Sequence, residues 1–143
     1  MSYAPFGYEY FSVTESVPLV TTSAAFISYK TLSPTVSGGD YKFSWHYVWS
    51  HNAANNDFVG QIILDGGSDV MNISNDGDGH RQEPKDAGGG GTGGTNQRYH
   101  CSGITFLTLP PGVRTFDLQF RSDPAGVNST IYAAEMDLVR VSA

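Results

Sequence analysis

Apolar and polar residues alternate with a period of two along most of this chain. The clearest run is Tyr41-Lys42-Phe43-Ser44-Trp45-His46-Tyr47-Val48-Trp49, where every odd position carries an aromatic ring. Successive side chains of a β-strand point to opposite faces, so a strand places all of these rings on one side. A helix would scatter them around its cylinder. The pattern predicts a strand whose aromatic face is an inner wall of the core. The alternative is an outward shelf on which Trp45, Tyr47 and Trp49 stack against sugars, because these rings join an apolar body to a polar tip.

Other segments repeat the theme. Tyr8 to Thr14 and Leu19 to Thr22 read as strands split by Pro18, and Ala24 to Leu32 follows. Pro34 and Gly38-Gly39-Asp40 are turn signals. Ser50 to Asn56 is expected to be a polar loop. Asp57 to Asp65 is expected to be a strand, and Val70 to Ser74 another, shorter one. In Arg114 to Ser122, Phe116, Leu118 and Phe120 face one way and Asp117, Gln119 and Arg121 the other, as in a half-buried antiparallel strand. Ser102 to Leu109 precedes it across Pro110-Pro111-Gly112. Thr130 to Ala134 and Glu135 to Val141 supply the last strand or two, with a bulge expected around Ala133 to Met136.

Seven to nine strands and no helix are expected. Short strands separated by frequent turns indicate an all-β antiparallel jelly roll or β-sandwich. Parallel architecture would need helical crossovers, and none is legible. Residues 1–143 are expected to form a single domain. A long Gly-rich loop, about 75–97, interrupts it. Gly88-Gly89-Gly90-Gly91-Thr92-Gly93-Gly94 is low-complexity and offers almost no apolar surface to offset the entropy of ordering it.

Composition agrees with this class. Aromatic residues make up 13% of the chain and charged residues 15%, a balance that favours strands over helices. The net charge of -6 leaves few cations to neutralise phosphates, so neither nucleic acid nor an anionic membrane is an expected partner. No apolar run approaches the ~20 residues of a membrane-spanning helix. The N-terminal stretch lacks the basic-then-apolar pattern of a signal peptide, so assembly in a cytoplasm is expected. The triplets Asn72-Ile73-Ser74 and Asn128-Ser129-Thr130 are then coincidental glycan acceptors.

Candidate chemistry is sparse. Cys101 is the one cysteine, which excludes an intrachain disulfide. Its neighbour His100 would point to the opposite face of a strand, so the two do not form a nucleophile–base pair. The glycine run has no following Lys and no following helix, which excludes a P-loop. Asp76 and Asp78 faintly resemble part of a calcium loop, but His80 stands where a ligand is needed. His46, His51, His80 and His100 show no paired-ligand spacing. The expected catalytic, cofactor and metal residues are therefore none, and no enzyme activity is expected.

The segments Ile104-Thr-Phe-Leu-Thr-Leu-Pro-Pro-Gly112, Thr115-Phe-Asp-Leu-Gln-Phe-Arg-Ser122, Thr130-Ile131 and Met136-Asp-Leu-Val-Arg-Val141 resemble the closing strands of jelly-roll modules in tailed-bacteriophage virion proteins. These include head decoration proteins and tail appendage or fibre domains. The resemblance implies a virion structural protein, most specifically a capsid decoration or cement protein. Its partners would be the major capsid protein or other virion proteins, and copies of itself, with a trimer favoured. The alternative it leaves open is a receptor- or carbohydrate-binding appendage. Tyr3, Phe6, Tyr8 and Tyr10 suit a partner-binding arm, because aromatic residues are enriched at interfaces. They equally suit a first core strand.

Overall fold

The computed structural model describes residues 8–53, 57–71, 80–82 and 98–143. Twelve strands form among them: β1 (Tyr10–Glu15), β2 (Leu19–Thr21), β3 (Ile27–Leu32), β4 (Thr35–Val36), β5 (Gly39–His51), β6 (Asp57–Leu64), β7 (Ser68–Asp69), β8 (His80–Gln82), β9 (Tyr99–Leu109), β10 (Gly112–Val113), β11 (Phe116–Asp123) and β12 (Ser129–Ser142). No helix occurs among the described residues.

One sheet has the order β1-β12-β5-β9, with β2 also paired to β12. The facing sheet has the order β3-β11-β6-β7, with β8 also paired to β6, and β4 and β10 form a small ribbon. All pairings are antiparallel. Each strand of six or more residues lies in the sheet opposite the one before it. That back-and-forth wrap is what inserts β12 between β1 and β5, and it makes the molecule a jelly roll.

The core is built where the period-two stripes meet. Tyr41, Phe43, Trp45, Tyr47 and Trp49 are all buried on the inner face of β5. Opposite them lie Phe58 and Ile62 of β6 and Phe116, Leu118 and Phe120 of β11. Phe43 stacks on Phe116 across the sandwich, with ring centroids 4.3 Å apart, and Trp49 stacks on Phe58 at 5.0 Å. Burying each such ring contributes roughly 1.5–3 kcal/mol. Ile131, Ala134, Met136 and Leu138 of β12 complete the wall. A shelf of Trp45, Tyr47 and Trp49 for sugars is thereby excluded.

Two glycines accommodate these rings. A Cβ on Gly60 would stand 2.5 Å from the Tyr47 hydroxyl oxygen, and one on Gly103 would collide with the Trp45 indole. The small residue, on the facing sheet at Gly60 and on the neighbouring strand at Gly103, is therefore required by the large one.

Several boundaries differ from the sequence reading. β5 runs on to His51, because Ser50 and His51 pair with Thr130 and Ser129 of β12. The strand expected at Val70 to Ser74 is not formed at Val70 and Met71. Instead Ser68–Asp69 pairs with β6, and the Asp69 carboxylate accepts the backbone N–H groups of Ile62 and Met71. The Gly-rich stretch was expected to be one continuous loop, but His80–Gln82 pairs with Gly60, Val59 and Phe58. Arg81 ties that strand down by bonding Asp57 (3.1 Å) and Asp123. The rest of the loop, with Asp76, Asp78 and Gly88 to Gly94, lies outside the described residues. The last segment is one strand, β12, and it shifts register against β5 twice, between Ile131 and Ala133, just before the expected bulge, and between Arg140 and Ser142.

Burial separates two phenylalanines that look alike in sequence. Phe43→Ala is expected to lower unfolding free energy by about 3–5 kcal/mol. Phe106→Ala on the outer face is expected to change it by less than about 0.5 kcal/mol at a concentration low enough for the chain to be monomeric. Urea denaturation followed by tryptophan fluorescence checks both, and equal losses would contradict the assignment of faces.

Candidate docking surface

The outer face of the β1-β12-β5-β9 sheet is the molecule's richest exposed surface. Cross-strand register sorts it into rows. Tyr10, Val139, Lys42 and Phe106 form one row; Ser12, Asp137, Ser44 and Ile104 form the next; Thr14, Glu135, His46 and Ser102 form a third. Charge sits in the middle of this face and apolar surface at its margins. On the β9 margin Ile104 is 60% and Phe106 66% exposed. On the β1 margin Tyr8 is 74% and Tyr10 50% exposed.

Glu9 fixes the β1 margin. Its carboxylate accepts the Tyr41 hydroxyl (2.5 Å) and the Ser37 backbone N–H, and its carbonyl accepts the Arg140 N–H. Partial burial works to raise the Glu9 pKa, but the Tyr41 and Ser37 hydrogen bonds outweigh it and hold the group below the ordinary glutamate value. The Tyr10 hydroxyl donates to Asp137 Oδ1 at 2.8 Å, which lays that ring along the sheet. Of the expected arm residues, Tyr8 and Tyr10 are thus exposed side by side, and Tyr3 and Phe6 lie outside the described residues.

The histidines divide between the faces. His46 and His100 are both exposed on the outer face, with Nε2 of one 3.0 Å from Nδ1 of the other and their rings stacked. Among the described residues no group of three His, Cys, Asp or Glu side chains is placed to hold a metal ion. Cys101 faces inward, away from His100, as strand alternation requires. Burial pushes its thiol above the ordinary value despite contacts with Tyr47, Trp45 and Gln82, which makes it a poor nucleophile at neutral pH.

His51 is fully buried at the end of β5. Its Nε2 lies 3.2 Å from the Ser122 hydroxyl, and its Nδ1 3.0 Å from the Ala53 carbonyl. Burial lowers its pKa below the ordinary 6.5, more than the Ala53 carbonyl, Asp57 and Asp123 raise it.

Periodicity in sequence did not reveal the β9 margin. In Ser102 to Leu109 apolar residues occupy both parities, Ile104 and Phe106 on one and Leu107 and Leu109 on the other. The register of β9 against β5 decides which pair stays wet: Phe106 and Ile104 lie opposite Lys42 and Ser44, and Leu107 lies opposite the buried Tyr41.

No protein-family model matches this chain, and no curated protein matches it. Solved structures do. The structure of the infectious bursal disease virus Gx strain matches 96% of this chain at 8% identity, with a TM-score of 0.55. The VP2 subviral particle of the same virus matches 93% at 9% identity, with a TM-score of 0.51. This chain spans 32% of the length of each of those viral chains. Eiger TNF from S. frugiperda matches 93% of both chains at 11% identity, with a TM-score of 0.51. At such identities the likeness is one of fold.

Acid is expected to loosen the molecule through His51. A folded-state pKa below the unfolded one means that the unfolded chain binds the extra proton, so stability is full above about pH 6.5 and falls as pH drops. Glu9, Asp40 and Asp123, all held below the ordinary carboxylate value, add losses of the same sign at lower pH. The melting temperature should hold level from about pH 8 to 7 and decline below about 6.5. His51→Gln should flatten the first part of that decline. An unchanged slope in the variant would remove His51 from this role.

Proposed function

We propose that this chain is a non-enzymatic structural protein of a virus particle, and specifically a capsid decoration protein that binds and stabilises the head of a tailed bacteriophage. The observation that carries the reading is the placement of exposed aromatic and apolar groups. They lie on both margins of one sheet, while the residues best suited to sugar stacking are packed inside. A jelly roll with adhesive margins fits a protein that works by contact. The fold likeness to viral particle structures and the resemblance of the C-terminal strands to phage virion modules support the same assignment.

In this reading the arm formed by Tyr3, Phe6, Tyr8 and Tyr10 meets the major capsid protein. Tyrosine suits such a contact because it supplies large rigid area at little entropic cost and retains a hydrogen-bonding tip. Glu9 fixes the chain between Tyr8 and Tyr10 through Tyr41 and Ser37.

Purified full-length protein is expected to co-sediment with expanded, undecorated phage heads and to raise the temperature at which they release DNA. Tyr8→Ala with Tyr10→Ala should weaken that binding at least about tenfold, equivalent to roughly 1.4 kcal/mol. No binding to heads, together with measurable affinity on a glycan array, would replace this reading with a receptor-binding appendage.

A further inference from the structure

We infer that the β9 edge is a self-association surface, where two copies join through antiparallel pairing of their β9 strands about a two-fold axis at Thr105. The starting observation is a contrast between edges. An exposed strand edge offers unpaired N–H and C=O groups to any other chain, and proteins blunt such edges with short length, charge, proline or bulges. Three edges here are blunted. β1 is six residues long and ends in the charged Glu15. β3 carries Lys30, paired with Glu15 at 3.8 Å, and its partner strand shifts register beside it. β7 is two residues long and β8 three.

β9 has none of these devices. Over the span that this pairing uses, Cys101-Ser-Gly-Ile-Thr-Phe-Leu-Thr-Leu109, it carries no Asp, Glu, Lys, Arg or Pro. Among the described residues it pairs only with β5. Two large apolar side chains stand exposed on its outer face, Ile104 and Phe106.

Its sequence is complementary to itself. With Thr105 opposite Thr105 of the other copy, Ile104 of each copy meets Phe106 of the other, so an apolar quartet forms on the outer face. Apolar cross-strand pairs of this kind are what stabilise and register a sheet. On the inner face the same register sets Leu107 opposite Gly103, a large residue against a small one. Ser102 then meets Thr108. The contact is isologous and closes on itself, giving a dimer rather than a filament. An uncharged strip is also the region where two copies, each of net charge -6, approach with least repulsion. Lys42 flanks Phe106 and faces Ser44 of the other copy across the quartet, so no like charges are opposed.

Self-pairing needs no virus particle and is tested on the purified full-length chain. Sedimentation equilibrium should give a dimer, and Phe106→Lys a monomer with an unchanged circular dichroism spectrum. Register is tested by mild oxidation. Thr105→Cys should cross-link to a dimer in high yield, because facing residues of an antiparallel pair lie within disulfide reach. Ser102→Cys should not, because the two-fold carries the two copies of residue 102 far apart. A monomer at every concentration, a trimer, or a dimer that survives Phe106→Lys would overturn the inference. Cross-linking of both cysteine variants alike would overturn the register.

Discussion

The contact between the aromatic face of β5 and the phenylalanine faces of β6 and β11 organises this molecule. Once Phe43 lies on Phe116 and Trp49 on Phe58, the separation and relative rotation of the two sheets are set. Everything else accommodates those rings: glycines at positions 60 and 103 lie where the facing sheet passes Tyr47 and the neighbouring strand passes Trp45. β12 pairs along almost the whole length of β5, so the longest strand of the chain is registered against the aromatic one.

That inward commitment determines what is left for function. Rings inside the sandwich cannot recognise a ligand, so recognition falls to the outer face and the edges. There the molecule is uneven. The middle of the outer face carries Lys42, Glu135 and Asp137, its β1 margin carries tyrosines, and its β9 margin carries Ile104 and Phe106. A protein acting by contact needs surfaces of this sort, and two separate margins allow two different contacts. In the proposed reading one serves a capsid and the other a second copy.

The fold was readable in sequence wherever one parity of a strand was apolar and the other polar. β5 and β11 meet that condition, and both adopt the expected faces. The short strands β4, β8 and β10 escaped because their order comes from partners distant in sequence. β8 forms where His80–Gln82 reaches β6 and Arg81 finds Asp57 and Asp123, and nothing local announces this. The exposed apolar margins were half legible. Aromatic density marked Tyr8 and Tyr10. Ile104 and Phe106 were hidden in a strand that is apolar on both parities, since exposure there depends on its register with β5. The separation of Cys101 from His100 was legible for the same reason as the fold: alternation turns Cys101 inward and His100 outward.

Amide hydrogen exchange along β9 tests most directly whether this edge is built to be covered. In an antiparallel edge strand every second N–H points away from the sheet. If β9 is an association surface, those alternate amides will be protected in the wild-type protein, increasingly so as its concentration rises. They will exchange freely in Phe106→Lys, while the amides bonded to β5 stay protected in both. Exchange at the solvent rate for the outward amides at every concentration would contradict the account. Protection that ignores concentration would do the same.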